Sequence, residues 1–203
     1  IHKEELAKYL GIDNSQLCAL VSLKDVKISL DDNFIDDNFI KKIKKDGICL
    51  FFDNIQNPWN LGGIFRNNSA FGVYNTILIG NCVFPFNPRV IRASKGFVFE
   101  QNVKTIKTEN LREFILNFDF SDYKVYFLEN KKNSVNLTKI FENYKKEKVF
   151  WFFGGEKYGI SKHLREIFAN HLSVKIDIKI ESLNLFAVHS IVTFLWSLNV
   201  KNS

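Results

Sequence analysis

The sequence lacks methionine altogether, and it has only three prolines and three cysteines among 203 residues. Because no initiator methionine is present, we expect the natural N-terminus to lie upstream of Ile1. The low proline content and a hydrophobic fraction of 46% exclude a disordered chain. The odd number of cysteines, two of them in or beside apolar runs, predicts buried free thiols and a cytoplasmic protein.

Signatures of several common sites are missing as well. No apolar run approaches the length of a membrane span, and no secretory pattern opens the chain. The first strand is not followed by a dinucleotide-binding glycine fingerprint. Gly154 and Gly159 have the spacing of a phosphate-binding loop, but Ile160 stands where that loop needs Lys. No Cys or His pair has zinc spacing, and Ser182 has no evident His–carboxylate pairing, so we predict neither a metal site nor a hydrolase triad.

The charge is mildly basic, with 28 Lys and Arg against 22 Asp and Glu and a net charge of +6. This balance is compatible with a polyanionic partner but is weak support for one. The basic run KKIKK at 41–45 has two interpretations, a phosphate-binding patch or the solvated face of a helix, and its shortness favours the helix face. Residues 1–46 differ in pattern from the rest of the chain, and we predict the end of a partial N-terminal module and a charged linker there.

From residue 47 onward, apolar runs typical of strands alternate with helical segments. The predicted strands are Ile48–Phe52, Asn75–Ile79, Gly96–Glu100, Lys124–Leu128 and Val149–Phe153, and the predicted helices begin at the N-cap Asn60 and at Leu111, Leu137 and Leu183. This alternation predicts an α/β fold, a mainly parallel sheet with helices on both faces. Ligands bind such folds beyond the carboxyl ends of the strands, where the turns 53–60 and 154–160 and the link 177–183 lie. We therefore predict a site built by these three segments.

Three stretches of this region resemble the motifs of a known family. They are NPWNLGGIFRNNSAFG at 57–72, FFGGEKYGIS at 152–161 and IESLNLFAV at 180–188, and NPRVIRASKGFVF at 87–99 resembles the segment between the first two. In order and approximate spacing they are similar to the SpoU/TrmH class of SPOUT RNA 2′-O-ribose methyltransferases. The resemblance implies methyl transfer from S-adenosylmethionine to a ribose 2′-hydroxyl of tRNA or large-subunit rRNA. It also implies a C-terminal trefoil knot and a homodimer in which the partner chain completes the active site.

The resemblance further implies roles for single residues. It places Arg66 near the ribose 2′-hydroxyl and its phosphate, where we expect a guanidinium to stabilise developing negative charge. The implied catalytic set is Arg66, Asn60, Glu156, Ser182 and Asn184, and the implied cofactor-binding set is Gly154, Gly155, Ile176, Ile178 and Leu183. No motif requires a metal. The ordinary alternatives are a solvated arginine at 66, a turn residue pairing with Lys157 at 156, and helix caps at 60 and 182.

Two further expectations concern assembly and organisation. The segment from Leu183 to Leu198 is apolar over most of its circumference, which favours a homodimer, although a helix buried within one chain is the alternative. Gln16–Val26 is similar to the last strand of an L30-like domain, so we predict a remnant of an RNA-recognition module at 1–46 and the methyltransferase domain at 47–203. The competing function is a non-catalytic RNA-binding relative acting in ribosome or tRNA maturation.

Overall fold

The computed structural model describes residues 28–29, 37–116, 121–142 and 147–201. Within these residues eight strands form one sheet, and every pairing between these strands is parallel. They are β1 (Ile28–Ser29), β2 (Ile48–Asp53), β3 (Asn75–Ile79), β4 (Asn102–Ile106), β5 (Tyr123–Leu128), β6 (Val135–Asn136), β7 (Lys148–Gly154) and β8 (Leu172–Lys175). Their spatial order is β1-β4-β3-β2-β7-β5-β8-β6, so β2 and β7 lie side by side in the middle. The predicted mainly parallel sheet is confirmed.

Seven helices cover the sheet. They are α1 (Asp37–Asp46), α2 (Pro58–Phe71), α3 (Pro88–Ala93), α4 (Leu111–Leu116), α5 (Leu137–Glu142), α6 (Lys162–Ile167) and α7 (Leu185–Lys201) in the described part of the chain. Buried side chains of α2, α3, α5 and α7 belong to one hydrophobic cluster, and those of α1, α4 and α6 belong to a second. Helices therefore lie on both faces of the sheet, as predicted.

The central strands explain why there are two cores. Every residue of β2 is buried, and side chains alternate between the faces of a strand. Leu50 and Phe52 belong to the first cluster, whereas Cys49 and Phe51 belong to the second. A continuous apolar run is thus the consequence of a strand that is covered on both sides.

Local structure between β2 and β5 corrects several expectations. The predicted N-cap Asn60 is wrong: Asn57 caps α2, accepting hydrogen bonds from the N–H groups of Trp59 (2.9 Å) and Asn60 (3.4 Å). The reason is Pro58, which lacks an N–H and fits the first helical position. The two prolines in Phe84–Lys95 predict a loop, but this stretch contains α3, and the strand expected at 96–100 is a 3-10 helix, Phe97–Glu100. The next strand along the chain, β4, was not predicted.

The N-terminal segment is only partly described. The strand expected at Gln16–Val26 lies outside the described residues, and the domain boundary at 46 stays a prediction. Helix α1 buries Phe39 and Ile43 against the sheet and exposes Lys41, Lys44 and Lys45, which supports the solvated helix face. Over the residues that the structure describes, each helix is too short or too polar to span a membrane.

Two of the three cysteines fall in the described residues, and both are free thiols. Cys49 is fully buried in β2, and Cys82 is partly exposed after β3. Burial raises the pKa of Cys82 to about 12, so this thiol stays protonated and unreactive at neutral pH. The prediction of free thiols holds for these two residues.

Candidate functional site

The site lies at the carboxyl edge of the sheet, where the central strands β2 and β7 end together. Asp53, the last residue of β2, is paired in register with Gly154, the last residue of β7. The next strand on that side, β5, ends at Leu128, and β8 ends at Lys175 beside it. Parallel pairing thus brings the loops after these strands to one place, as the sequence predicted.

The loop after β7 is a tight glycine turn. A Cβ on Gly154 would lie 2.1 Å from the carbonyl carbon of Gly159, and one on Gly155 would lie 2.7 Å from the carbonyl oxygen of Asn54. Gly159 has φ +63°, a conformation that favours glycine. Its N–H donates to the carbonyl oxygen of Gly155 (2.9 Å). The turn therefore leaves no room for side chains at 154 and 155.

Asp53 holds the far end of this turn. Its buried carboxylate accepts a 2.7 Å hydrogen bond from the N–H of Ser161 and a 2.6 Å bond from the side-chain amide of Asn54. Ser161 precedes α6 and has no side-chain cap hydrogen bond of its own. Asp53 was not among the predicted site residues, although a carboxylate that directly ends an apolar strand was a usable signal.

Three predicted catalytic residues meet in one hydrogen-bonded group. The amide of Asn60 donates to Oε1 of Glu156 (2.5 Å), and the amide of Asn184 donates to Oδ1 of Asn60 (3.2 Å). Asn60 is 6% exposed, whereas Glu156 is exposed at the surface. The first turn of α2, the glycine turn and the start of α7 are thus joined through side chains. We name this group the Asn60–Glu156–Asn184 cluster.

Asn184 also caps the last helix. Its side-chain oxygen accepts a 2.8 Å hydrogen bond from the N–H of Phe186, and its carbonyl oxygen accepts the N–H of Val188. The structure therefore gives the cap to Asn184 rather than to Ser182, which is exposed. Ser182 lines the rim of the adjoining cavity.

A cavity of about 420 Å³ lies beside the cluster, within the size range of small-molecule sites. All five predicted cofactor-binding residues line it: Gly154, Gly155, Ile176, Ile178 and Leu183. Aliphatic walls and glycine backbone make up much of its surface, and its charged lining residues are Glu129, Glu156, Glu181 and Lys175. With more carboxylates than cations, such a surface fits a ligand that is partly apolar and carries positive charge.

Glu129 forms part of the cavity wall and was missed by the sequence reasoning. It follows β5 directly, and its side chain is 10% exposed. Arg165 donates from both terminal nitrogens, Nη1 at 3.0 Å and Nη2 at 2.5 Å, and the hydroxyl of Ser173 donates at 2.5 Å. Burial by itself raises the pKa of Glu129, but hydrogen bonds from Arg165, Ser173 and Lys131 outweigh it and lower the pKa to about 2.

Arg165 connects this carboxylate to the glycine turn. Its Nη2 also donates to the carbonyl oxygen of Ile160 at 3.2 Å. One ion pair therefore joins the end of β5, helix α6, the end of the turn and, through Ser173, strand β8. The Glu129–Arg165 pair thus fixes the relative positions of three cavity walls: the end of β5, the glycine turn and the end of β8.

Arg66 lies elsewhere on the chain. It is exposed on α2 and, unlike Glu156, Ser182 and Asn184, does not line the cavity. Along α2, Gly63 packs on Phe186, Asn67 donates to the hydroxyl of Ser190 (2.6 Å), and Phe71 contacts Phe194 edge to face. Arg66 stands at the margin of this α2–α7 pair.

A buried polar network ties α7 to α2 beneath the site. His189 is fully buried against the stacked rings of Phe52 and Phe153, and its Nε2 lies 2.8 Å from Oδ1 of Asn68. The amide of Asn68 donates in turn to Thr76 (3.2 Å) and Gln101 (3.1 Å). Burial lowers the pKa of His189 to about 3, so the ring is neutral and donates through Nε2.

Comparisons with known proteins identify the family of the chain. The profile of the SpoU rRNA Methylase family matches residues 47–194. An uncharacterized tRNA/rRNA methyltransferase of Mycoplasma genitalium is 25% identical over 193 residues, which are 93% of this chain and 75% of that protein. A 23S rRNA uridine 2′-O-methyltransferase of Streptomyces viridochromogenes is 30% identical over 57 residues, 28% of this chain and 20% of that one.

Solved structures share the fold. The crystal structure of an rRNA methyltransferase from Sinorhizobium meliloti superposes with a TM-score of 0.63 at 26% identity. It covers 73% of this chain, which spans only 54% of that protein. The same methyltransferase is also known with AdoMet bound, at a TM-score of 0.62.

Proposed function

The chain belongs to the SpoU rRNA Methylase family, and on this basis we propose that it transfers a methyl group from S-adenosylmethionine to a ribose 2′-hydroxyl of structured RNA. The observation that carries the proposal is the Asn60–Glu156–Asn184 cluster at the mouth of the cavity. A non-catalytic relative would have no need to keep these three polar side chains joined beside a small-molecule cavity. The substrate is tRNA or rRNA, which the names of the relatives suggest.

The residues of the cavity fit S-adenosylmethionine. A Cβ at Gly154 or Gly155 has no room, so a ligand there meets backbone N–H and C=O groups, which suit the edge of an adenine. Ile176, Ile178 and Leu183 provide apolar walls for the flat base. The carboxylates on the cavity wall suit a ligand that carries a positive sulfonium. When bound, this cofactor supplies an activated methyl group.

The chain's own contribution is alignment and charge stabilisation. The Asn60–Glu156–Asn184 cluster orients polar groups toward the place where the ribose enters. Arg66 grips the adjacent phosphate and stabilises the oxygen as its proton leaves, since a guanidinium stays charged at neutral pH. Holding the oxygen in line with the methyl group supplies the rest of the rate enhancement.

The active site of this proposal needs two subunits. Arg66 is exposed and lies away from the cavity of its own chain, at the margin of the α2–α7 pair. On the same pair Phe194 and Leu198 are 47% and 43% exposed, an apolar surface suited to a second copy. Two-fold symmetry then brings Arg66 of one subunit to the cavity of the other.

Three other features of the proposal rest mainly on the family. The trefoil knot is supported by the insertion of β7 between β2 and β5 and by the packing of Gly155 on the backbone of Asn54. The N-terminal RNA-recognition remnant at 1–46 and a cytoplasmic location remain predictions from the sequence.

The test is a methyl-transfer assay with labelled S-adenosylmethionine on bulk tRNA and rRNA. We expect transfer by the wild type and a loss of at least about 100-fold in Arg66→Ala, in line with removal of a charge-stabilising group. Arg112→Ala, a matched exposed arginine on α4, should retain full activity. Ribose position is then read from resistance of the modified nucleotide to alkaline cleavage.

Absence of transfer by the wild type, together with no binding of S-adenosylhomocysteine in calorimetry, would refute the proposal. The competing function, a non-catalytic RNA-binding relative, predicts that outcome with RNA affinity equal in the wild type and Arg66→Ala.

A further inference from the structure

The glycine turn presents two side chains to solvent rather than to the cavity. Gly154, Gly155, Glu156 and Gly159 line the cavity, but Lys157 and Tyr158 do not. Tyr158 is 80% exposed, which is unusual for a side chain that is mostly apolar. The Nζ of Lys157 lies 5.0 Å from the centre of the Tyr158 ring.

This exposed ring stands on a rigid support. Gly155 and Gly159 form an antiparallel bridge, so only 156–158 project from the turn. The turn is held at its start by the hydrogen bond from Asn60 to Glu156 and at its end by the bond from Ser161 to Asp53. A tyrosine has few side-chain torsions, so one that stands on a held turn offers contact area at low entropic cost.

The surroundings favour RNA as the occupant. Glu156, two residues before Tyr158, belongs to the cluster where the ribose of the proposed reaction enters. Lys157 provides positive charge for a phosphate, and exposed Lys179 lies on the link that lines the same cavity at Ile178 and Glu181. Every nucleobase has a flat face that stacks on an aromatic ring, and lysine beside that ring meets the phosphate of the same nucleotide.

We propose that Tyr158 is a stacking platform for a nucleobase at or next to the methylated nucleotide, with Lys157 contacting its phosphate. This assignment rests on the proposed function for the identity of the nucleotide. It adds an RNA-recognition element within residues 47–203, separate from any module at the N-terminus. Neither residue contacts the cofactor cavity, so both act on RNA alone.

The test measures the affinity of the full chain for bulk tRNA as a function of salt concentration. Tyr158→Ala should weaken binding about tenfold or more at every salt concentration, without changing the salt slope, because stacking releases no counterions. Lys157→Ala should instead reduce the slope by about one unit. Tyr158→Phe keeps the ring and should bind as the wild type does.

Controls separate this role from folding and assembly. Tyr74→Ala changes another exposed tyrosine, 38% exposed, at the opposite edge of the sheet before β3, and should leave RNA affinity unchanged. Each variant should keep the melting temperature, the light-scattering mass and the S-adenosylhomocysteine affinity of the wild type. Equal RNA affinity of Tyr158→Ala and the wild type would overturn the proposal, and so would conversion of a dimer to monomers by Tyr158→Ala.

The two proposals fail differently. The proposed function is refuted if the wild type neither transfers methyl groups nor binds S-adenosylhomocysteine. The stacking assignment is refuted by the RNA affinities of the Tyr158 variants.

Discussion

The side-chain amide of Asn60 donates a 2.5 Å hydrogen bond to Oε1 of Glu156, although 96 residues separate the two in the chain. Asn60 is buried in the first turns of α2, and Glu156 is exposed at the tip of the glycine turn. The buried amide of Asn60 therefore fixes the position of the exposed carboxylate of Glu156. Asn184 completes the arrangement from the start of α7.

Breaking this bond should reduce activity while leaving the fold intact. We expect Asn60→Ala and Glu156→Ala to lower kcat/KM for methyl transfer by about 10- to 1000-fold, since each removes a group that orients the ribose in the proposed reaction. Glu156→Gln should lose less than Glu156→Ala, because its amide oxygen still accepts from Asn60. Exposed Asn170→Ala is the matched control and should be fully active. Wild-type kinetics in Asn60→Ala would contradict a role for the cluster.

A shared active site predicts complementation between two weakly active variants. Arg66→Ala and Glu156→Ala should each keep at most about a tenth of the wild-type activity alone. Refolded together, they should form mixed copies of the proposed dimer, in which one of the two sites has both groups. For random mixing, activity should return to about a quarter of the wild-type value, from the symmetry of the dimer. The measurement is transfer activity against mixing ratio. No recovery in mixtures shown to exchange subunits would place Arg66 and Glu156 of the same chain in one site.

The Glu129–Arg165 ion pair should support both the cavity and stability in acid. Folding lowers the pKa of Glu129 from 4.5 to about 2, so its contribution is complete above pH 4.5 and is lost as the pH falls toward 2. Glu129→Gln should lose about 1–3 kcal/mol of unfolding free energy at neutral pH, because Arg165 is left with no charged partner there.

Glu129→Gln should also weaken S-adenosylhomocysteine binding at least about threefold, because the ion pair that connects the cavity walls is lost. Calorimetry at pH 7 and denaturant titrations from pH 7 to pH 3 provide the two measurements. Lys162→Gln, which removes an exposed pair with Glu166, is the control and should change neither quantity. Cofactor affinity equal to that of the wild type in Glu129→Gln would show that the pair serves stability alone.

Burial of His189 should make the free energy of unfolding depend on pH in a second range, higher than that of Glu129. Its pKa is lowered from 6.5 to about 3 by burial, so the unfolded chain binds a proton there that the folded chain does not. Stability from this group is complete above pH 6.5 and falls as the pH drops toward 3, with a slope of up to about 1.4 kcal/mol per pH unit. His189→Gln keeps an amide donor for Asn68 and cannot be protonated, so its unfolding free energy should fall less steeply between pH 6 and pH 4. Parallel curves for the two proteins would contradict the assignment.

Most of the sheet could be predicted from the sequence because its signal is local. The apolar runs of β2 and β7 are continuous, and a strand buried on both faces needs that pattern, while β3 and β5 keep shorter apolar runs, Ile77–Ile79 and Val125–Leu128. Strand β4 was missed because NVKTI alternates with polar residues and comes after a 3-10 helix, where the boundary signal is weak. At α2, the proline at the first helical position moved the cap from Asn60 to Asn57.

The candidate site, like the sheet, was predictable only where the signal is local in the sequence. By itself the sequence determined the strands β2, β3, β5 and β7, the order of the motifs and the residues that the three loops deliver, since each depends on neighbours along the chain. Only the tertiary structure decided that Asn60, Glu156 and Asn184 bond to one another, that Arg165 clamps Glu129, and that Arg66 stays outside its own cavity. These contacts join residues up to 124 positions apart, and they depend on strand order and loop packing, which local periodicity does not encode.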